Sequence, residues 1–539
     1  MLLHKPGPRA GILIILAVLA LTALVRTRTG PVDPASGETQ AVTQPSGSRS
    51  LGPADNVSRK PSAIPVRPGG QRLELKLEDL PAGPLREELA TLPDAVRESV
   101  LDELARQPRP RLDLANSIHV TPSGSLYYVC RERAFAGAAL VEEAEAEPLS
   151  SQDTAPFPGG VKTIPATHPP IHHSRPEATK VIFLDFNGHL VKGTEWNAAF
   201  GSTEYHCGAY GTDSHQESFS ENEQAAIEAI WSRVAQHFRN FDVDVTTEEP
   251  DQFGPDTVHI LITPDMDLNG IENPNSDEAS GVAFLNVFGT QEYSKKTPVF
   301  VYFQGLGTAA TGIIAAHEAG HYLGLSHDGD ATHEYYPGHP ITGNSDWSPI
   351  MGTGKCTVTN WSKGEYYGAN NHEDDQLKIG QKLGWLPDEE PGTMAGAMQL
   401  PANGSKIWYY GLLNSSSDID WYWLDIGSGI RINLSVMGEY NEGYSLSPEA
   451  ALYDASGNLV LSNGSPAAAG SCSFQEINFP PGRYYLKVTA REMGTPLANP
   501  PTGFTSYGSI GRYVIRGDPV PNDSALAPLI LEQPASKTA

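Results

Sequence analysis

Cysteine is scarce in this chain of 539 residues, which has only Cys130, Cys207, Cys356 and Cys472. Their spacing resembles no cysteine-type zinc site. The even number is compatible with two disulfide bonds in an oxidising compartment but does not require them. The cysteines therefore exclude a cysteine-ligated zinc module and leave the redox environment open.

Positive charge is also in short supply. The chain has 37 lysine and arginine residues against 64 aspartate and glutamate residues, which gives a formal net charge of −27. Such a surface repels the phosphates of nucleic acids and anionic lipid headgroups. We therefore exclude nucleic acid as a partner. The share of hydrophobic residues, 39%, is ordinary for a soluble globular protein.

The chain has no apolar run of the ~20 residues that a membrane span needs. A shorter run from Ala10 to Val25 lies between basic residues, which is typical of a signal peptide. No clear small-residue cleavage site follows it, so residues 1–28 are either a removed signal peptide or a retained N-terminal anchor. Both interpretations predict a secreted or cell-surface protein whose only membrane contact is this segment.

The length predicts about three folding units. Leucines and valines at helical spacing between Leu85 and Leu104, followed by the strand-like Ser125–Cys130, indicate a small module that precedes the main folded region. We predict this organisation: a signal peptide or anchor at 1–28, a disordered linker at 29–70, a propeptide-like module at 71–150, a linker at 151–178, a catalytic domain at 179–390, an all-β sandwich at 397–520 and a tail at 521–539.

The segment 179–390 predicts elements in the order strand, helix, four strands, helix. Ser220-Glu-Asn-Glu223 has the form of a capping box that opens the first helix. A second helix is expected at about 309–323 and a further one near 373–383. The β-branched and aromatic runs predict strands at 180–186, 241–245, 258–262, 281–287 and 298–303. Beyond 397 the short strands and turns predict a sandwich.

The stretch HEAGHYLGLSH that begins at His317 carries the strongest chemical signal. Residues four apart share one face of a helix, so His317 and His321 can bind one metal with Glu318 beside them. Gly324 can end the helix in a left-handed conformation, after which the reversed chain brings His327 to the same metal. Chance would produce such a combination on the order of 10⁻⁴ times in a chain of this composition.

Three imidazoles leave the fourth position of a tetrahedral zinc open for water, as a catalytic zinc requires. Zinc lowers the pKa of that water, and Glu318 as general base takes its proton and later passes it to the leaving amine. The chain has no Gly-x-Ser-x-Gly motif, which agrees with a reaction that has no covalent intermediate. The predicted cofactor is Zn²⁺, and the predicted substrate is a protein or peptide.

This stretch resembles the metzincin signature HExxHxxGxxH, and the Asp328 that follows is similar to the reprolysin branch. Trp347-Ser-Pro-Ile-Met-Gly352 matches the methionine turn of that family. The resemblance implies that Met351 lies beneath the zinc and that Asp328 supports the ligands from behind. It also implies an α+β catalytic domain with a mixed five-stranded sheet and an active-site helix. Gly281–Val287 would be the edge strand that pairs with extended substrate.

Further stretches are similar to narrower groups. Phe183-Leu-Asp-Phe-Asn-Gly-His189 looks like bacterial exported peptidases of this type, and Asp418-Ile-Asp-Trp-Tyr422 resembles the bacterial pre-peptidase C-terminal domain. The resemblance implies an accessory role for the sandwich, either in substrate attachment or in chaperoning and secretion. Astacin and serralysin relatives have a zinc-binding tyrosine two residues after the methionine. This chain has Thr353 there, so we predict no tyrosine ligand.

Cys130 lies in the module ahead of the catalytic domain, and two interpretations of it stand. A thiolate is a good zinc ligand and could displace the catalytic water, which would make the module an inhibitory propeptide. The surrounding Tyr-Tyr-Val-Cys-Arg-Glu-Arg does not match the matrix metalloprotease switch sequence, which favours a disulfide or a buried thiol.

A Ca²⁺ site is a weaker prediction. Asp265-Met-Asp-Leu-Asn-Gly270 alternates oxygen ligands and ends on glycine, as calcium loops do. It lacks the bidentate acid at the expected later position, so a turn rich in aspartate and asparagine is favoured.

The sequence thus predicts an exported, propeptide-bearing zinc metalloendopeptidase. Two alternatives remain: a zinc amidase that acts on cell-wall peptide, and a non-catalytic surface adhesin in which the zinc is structural. Peptide turnover that a chelator abolishes separates an enzyme from the adhesin. A panel of protein and cell-wall substrates separates the two enzymes.

Overall fold

The computed structural model describes most of the chain between 75 and 521. The described residues are 75–107, 109–131, 167–212, 218–354, 356–400, 402–403, 406–427, 430–462, 469–478 and 480–521. They belong to one compact unit, and none of their helices is long and apolar enough to cross a membrane. The predicted signal peptide or anchor, the predicted linker at 29–70 and residues 522–539 lie outside the described residues.

The N-terminal module consists of a 3-10 turn at Leu77–Asp79, three short α-helices and a β-hairpin. Its elements are α1 (Pro84–Thr91), α2 (Asp94–Arg106), α3 (Arg111–Asn116), β1 (Ile118–Val120) and β2 (Leu126–Cys130). Pro93 divides the predicted apolar stripe into two helices because proline cannot continue a helix from within. The buried leucines of α1 and α2 form one apolar cluster that also contains Leu285. The module therefore packs against the catalytic domain.

The catalytic domain is built on a central sheet flanked by helices. In chain order its elements are β3 (Val181–Asp185), β4 (His189–Lys192), α4 (Glu195–Phe200), β5 (Glu204–Cys207), α5 (Glu221–His237), β6 (Asp244–Thr246), β7 (Thr257–Thr263), β8 (Gly281–Phe284), β9 (Val299–Tyr302), α6 (Thr308–Tyr322), β10 (His339–Thr342), β11 (Ser345–Pro349), β12 (Val358–Asn360) and α7 (Asp375–Leu383). The central strands lie in the order β6-β3-β7-β9-β8. They run parallel except β8, which is antiparallel to β9.

The N-terminal module extends this sheet. Strand β2 pairs antiparallel with β8, from Tyr127 opposite Phe284 to Cys130 opposite Gly281, and β1 pairs with β2. The predicted mixed five-stranded sheet is confirmed, and the two strands of the module bring it to seven. The edge that we predicted for substrate is therefore covered by the module.

The two long helices begin where the sequence predicts. At the start of α5, Ser220 N–H donates to Glu223 Oε2 at 2.8 Å, and Glu223 N–H donates to Ser220 Oγ at 3.3 Å. Helix α6 carries the histidine motif and packs against α5, β8 and β9. All its residues from Thr311 to Tyr322 are buried, because helix, sheet and module surround it.

Three regions differ from the sequence prediction. The β4–α4–β5 insertion and the small sheet of β10, β11 and β12 were not predicted. Residues 167–178, which we assigned to a linker, lie along β6 instead: His173 Nδ1 is 2.6 Å from Asp244 Oδ2, and Ser174 N–H donates to Val245 O at 3.0 Å. The polar residues of this proline-rich segment pair with an edge strand that would otherwise expose its backbone.

The C-terminal domain is the predicted all-β sandwich. Its strands are β13 (Met398–Gln399), β14 (Ala402–Asn403), β15 (Lys406–Leu413), β16 (Ile419–Ile426), β17 (Ile430–Gly438), β18 (Pro448–Asp454), β19 (Leu459–Ser462), β20 (Ser471–Asn478), β21 (Gly482–Ala490), β22 (Met493–Thr495), β23 (Thr502–Phe504) and β24 (Gly511–Pro521). One sheet has the order β13-β16-β21-β18-β19 and the other β14-β15-β24-β17-β20. Buried residues of both sheets, such as Tyr422, Val436 and Leu486, form one core.

Candidate metal centre

The three predicted histidine ligands meet at one point. The Nε2 atom of His321 lies 3.1 Å from Nε2 of His317 and 3.1 Å from Nε2 of His327. His317 and His321 lie on one face of α6, one helical turn apart, and all three side chains are fully buried. The structure therefore brings together three imidazole nitrogens that the sequence placed on a helix and on the chain beyond it.

Gly324 makes the turn that returns His327 to the helix. Its φ is +105°, in the region that side chains with a Cβ rarely adopt, and a Cβ there would lie 2.9 Å from Asn286 Oδ1. Asn286 is in turn held to the helix end, because its N–H donates to His321 O at 3.0 Å. Only glycine suits both the conformation and the space.

Each histidine ring is oriented by a partner at Nδ1. His317 Nδ1 is 2.9 Å from Ile350 O, and His321 Nδ1 is 2.9 Å from Leu325 O. His327 Nδ1 is 3.3 Å from Glu334 Oε1. When Nδ1–H donates to an oxygen, the Nε2 lone pair is left for a metal. The rings are therefore fixed in the orientation that a metal site requires.

The electrostatic environment differs among the rings. Burial lowers the pKa of His317 to about 3, and burial also lowers the pKa of His321 well below its usual range, so both rings are neutral at pH 7. Burial alone would lower the pKa of His327, but the carboxylates of Asp113 and Glu334 outweigh it and raise that pKa to about 10. The two carboxylates therefore stabilise positive charge at the His327 ring. A metal cation bound to Nε2 would provide such a charge.

The Cys130 thiol completes a set of four donors. Its Sγ lies 3.7, 3.4 and 3.5 Å from Nε2 of His317, His321 and His327. A tetrahedral zinc with ~2.05 Å bonds to nitrogen and a ~2.3 Å bond to sulfur separates sulfur from nitrogen by about 3.5 Å and nitrogens by about 3.3 Å. The donor set thus fits zinc in type and spacing. Cys130 is buried and forms no disulfide. The sequence favoured a disulfide or a buried thiol at this position, and the structure has the buried thiol.

The module supplies two further residues that sequence reasoning missed. The ring of Tyr128 stacks on His321, with centroids 3.8 Å apart and planes 11° apart. Tyr128 OH donates to Asp113 Oδ2 at 2.7 Å, and the same oxygen accepts His327 N–H at 3.1 Å. No spacing signal in the sequence connects α3 to the third histidine, because the contact depends on how the module packs.

Glu318 lies at the junction of α6 and β8. Its side chain is fully buried, and it passes so close to Gly281 that a Cβ there would lie 2.5 Å from Glu318 Oε1. Gly281 is the residue of β8 that pairs with Cys130. The carboxylate therefore lies beside the residue of β8 that pairs with Cys130.

Met351 and Asp328 lie behind the histidines. Met351 is fully buried, and Gly320 leaves room for it, since a Cβ there would lie 2.6 Å from Met351 Sδ. Asp328 N–H donates to Met351 O at 2.8 Å, which ties the end of the histidine motif to the methionine turn. The Asp328 carboxyl is also buried, which raises its pKa to about 8.

The predicted calcium loop has the geometry of a turn. Asp267 Oδ1 accepts N–H groups from Asn269 and Ile271 at 2.8 Å each, and Oδ2 accepts the N–H of His206 at 3.1 Å. These bonds outweigh the effect of burial and lower the pKa of Asp267. The carboxylate thus caps its own loop, which agrees with the favoured interpretation and lends no support to Ca²⁺.

Comparison with known families identifies the central part of the catalytic domain. Residues 263–358 match the model of metallo-peptidase family M12B, reprolysin-like. This span contains the three histidines, Glu318 and Met351, and the match supports a zinc metallopeptidase in general. No curated protein matches the chain.

Several solved structures match part of the chain, and two of them are similar to about a quarter of it. One is the pre-peptidase C-terminal domain of a collagenase from Bacillus anthracis, with 19% identity, 25% of this chain and 98% of that chain covered, and a TM-score of 0.16. The other is PliG from Aeromonas hydrophila, a periplasmic inhibitor of g-type lysozyme, with 10% identity, 23% and 97% covered, and a TM-score of 0.16. At this TM-score neither likeness carries a conclusion about function.

Proposed function

We propose that the protein is an exported zinc metalloendopeptidase that is made in a latent form. The observation that carries the proposal is the meeting of three histidine Nε2 atoms, those of His317 and His327 each 3.1 Å from that of His321. The family match over 263–358 supports the same chemistry. Export rests on the signal-like pattern of residues 1–28, which lies outside the described residues.

The chain's own residues divide the reaction between them. His317, His321 and His327 would hold the zinc, which supplies a Lewis acid for the scissile carbonyl and lowers the pKa of the attacking water. A carboxylate oxygen of Glu318 takes the proton of that water and passes it to the leaving nitrogen. Once the module leaves, the edge of β8 would bind the substrate backbone through strand addition, which would align one peptide bond with Glu318.

The N-terminal module would block both of these positions. Cys130 Sγ is 3.4–3.7 Å from the three nitrogens, so it would take the ligand position that the catalytic water needs. Strand β2 lies along β8, where the substrate has to pair. The thiol would exclude the catalytic water, whereas strand β2 would only compete with substrate for the edge of β8. We therefore assign residues 71–150 as an inhibitory propeptide with Cys130 as its inhibitory thiol.

The test uses the full chain reconstituted with zinc. We expect Cys130→Ala to hydrolyse casein and an unstructured peptide at least about ten times faster than the wild type, because water can then reach the metal. Adding Glu318→Ala should remove at least about 10²-fold of that rate with the bound zinc unchanged, since a general base contributes about 10²–10⁴-fold. Cys472→Ala, which removes a buried thiol of the sandwich, is the matched control and should behave as the wild type.

Each other result has a distinct meaning. Equal rates for the wild type and Cys130→Ala would contradict the latency. Turnover of cell-wall peptide without turnover of casein would favour the amidase. A Cys130→Ala protein that binds zinc and hydrolyses neither substrate, even after proteolytic removal of the module, would favour the adhesin.

A further inference from the structure

A second cluster of metal-ligating side chains shares no residue with the metal centre. Asp185 ends β3, His189 begins β4 and His259 lies in β7. His259 Nε2 is 2.9 Å from Asp185 Oδ2, and His189 Nδ1 is 3.7 Å from the same oxygen. One donor atom from each residue lies within 4.8 Å of the other two. Two imidazoles and a carboxylate therefore converge from three separate strands.

The two imidazole rings repeat an arrangement found in the metal centre. The rings of His189 and His259 have centroids 4.7 Å apart and planes 80° apart. The rings of His317 and His321 have centroids 4.7 Å apart and planes 81° apart. Edge-to-face packing is common among aromatic rings in general, so the feature that points to an ion is that both rings turn a nitrogen toward the same carboxylate oxygen of Asp185.

The backbone between β3 and β4 is shaped to bring His189 back over Asp185. Asp185 Oδ1 accepts the N–H of Asn187 at 3.0 Å, which leaves Oδ2 directed to the histidines. Gly188 has a φ of +81°, and a Cβ there would lie 2.6 Å from Cys207 O. The turn therefore requires glycine, which accounts for the Asp-Phe-Asn-Gly-His stretch that the metal centre leaves unexplained.

The surroundings of the cluster suit an ion. The side chains of Asp185 and His259 are 4% exposed and that of His189 is 33% exposed, so solvent reaches one side only. Phe183 and Phe253 pack against His259, with centroids 5.4 and 4.9 Å away.

We propose that Asp185, His189 and His259 form a second metal site for a divalent first-row transition ion such as Zn²⁺. Two imidazole nitrogens and one carboxylate oxygen are typical ligands of such ions, and hard ions such as Ca²⁺ prefer oxygen alone. The site joins the β4–α4–β5 insertion to strands β3 and β7 of the central sheet. Its role is structural, and the proposal does not depend on peptidase activity.

The first measurement is the metal content of the full chain after metal removal, reconstitution with zinc and gel filtration. We expect His189→Ala to hold one equivalent less than the wild type. His206→Ala is the matched control, because His206 lies on the neighbouring strand β5, is paired with Glu204 and is outside the cluster. It should hold as much zinc as the wild type.

Cobalt substitution distinguishes the two sites without any activity assay. A Co²⁺ ion bound to Cys130 gives a thiolate-to-metal charge-transfer band, whereas a site of two histidines and an aspartate gives only d–d bands. We expect His189→Ala to lose d–d intensity and keep the charge-transfer band, and Cys130→Ala to do the reverse. Asp185→Asn, which is nearly isosteric, repeats the test should His189→Ala fail to fold.

The proposal is overturned if the wild type, His189→Ala and Asp185→Asn hold the same amount of metal and give the same cobalt spectrum. In that case the cluster is a hydrogen-bonded histidine–aspartate group. Loss of the charge-transfer band in the wild type, with the d–d bands retained, would instead count against the metal centre and leave the second site standing.

Discussion

At the scale of single residues, the geometry of the candidate metal centre depends on a glycine, Gly281. Glu318 can lie beside β8 only because residue 281 is glycine, since a Cβ there would lie 2.5 Å from Oε1 and 2.6 Å from Cγ of Glu318. The carboxylate is buried and cannot swing into solvent. The position of the proposed general base is therefore determined by a residue on another element.

Gly281→Ala should separate catalysis from metal binding. We expect kcat/KM of the Cys130→Ala protein to fall about 10²-fold, because displacing a catalytic group by about 1 Å costs that much. Zinc content should not change, since the three atoms nearest the added methyl group all belong to Glu318. Gly254→Ala is the control, because a Cβ there meets no atom within 4 Å. An unchanged kcat/KM would show that Glu318 is not held at this point during the reaction.

The sequence predicts those residues of the centre that are close together in the chain. His317, Glu318, His321 and His327 are spaced by the geometry of one helix and one turn, so spacing alone brings them together. Tyr128 and Asp113 reach the same point from about 200 residues away, through the packing of the module. A periodic pattern contains no information about such contacts, so these residues could be found only in the structure.

At the scale of elements, the module resembles a bound strand more than a separate domain. Its β2 pairs with β8, and the buried Arg109 crosses to the catalytic domain, where Nη1 donates to Gly324 O at 3.1 Å and to Ser326 Oγ at 2.7 Å. Arg131 adds an ion pair with Glu278 at 2.9 Å. These contacts do not depend on the chain that connects the module to residue 167.

Cleavage within 132–166 should therefore leave the module bound. We expect the nicked wild type to co-elute with its module in gel filtration and to remain inactive on casein. In the nicked Arg109→Ala protein the module should dissociate, and activity should rise at least about tenfold, because the turn around Gly324 loses two hydrogen bonds to the module.

Arg97→Ala provides the comparison for this prediction. Arg97 pairs with Asp94 within the module, so its loss removes a charge of the same kind without touching the catalytic domain. Release of the module from the nicked wild type at the same rate as from Arg109→Ala would show that the connecting segment alone holds the module in place.

Strands could be predicted from the sequence where burial requires a continuous run of apolar residues. Strand β7 is buried along its whole length, and its run of valine, isoleucine and leucine is readable as a strand. Strands β4 and β10 have only four residues each, are half exposed, and include Lys192 and Pro340. Such strands form because a neighbouring segment pairs with them. The β-propensity of their own residues gives no information about that pairing.

At the scale of the whole molecule, the sandwich is joined to the catalytic domain through buried polar contacts. Glu439 of the sandwich accepts two hydrogen bonds from Arg239, which lies just beyond the C-terminal end of α5, at 2.9 and 3.2 Å. It accepts a third from Arg512 of β24 at 2.8 Å. Asn240 Nδ2 donates to Leu413 O at 2.6 Å. The sequence predicts both domains but not this junction. Glu439 and Arg512 lie about 200 and 270 residues beyond Arg239, and no local pattern connects residues so far apart in the chain.

The junction gives the stability of the molecule a dependence on pH that can be predicted. Burial alone would raise the pKa of Glu439, but the charges of Arg239 and Arg512 outweigh it and lower that pKa below its usual value. A carboxyl whose pKa is lower in the folded state stabilises that state above its unfolded pKa of about 4.3. The stabilisation is lost as the pH falls through the folded pKa.

Glu439→Gln should lower the free energy of unfolding at pH 7 by about 2 kcal/mol, because it leaves two partly buried arginines without their counter-charge. Urea denaturation measures this, and the difference from the wild type should shrink as the pH falls below about 4.3. Asp425→Asn breaks a pair with Arg483 that is about half exposed, and should cost less than about 1 kcal/mol at either pH. Equal stability of Glu439→Gln and the wild type at pH 7 would mean that the domains do not depend on this junction. The expected loss of stability would mean that the sandwich and the catalytic domain unfold as one unit. Glu439 of the sandwich neutralises Arg239, which has no other carboxylate partner among its described ion pairs.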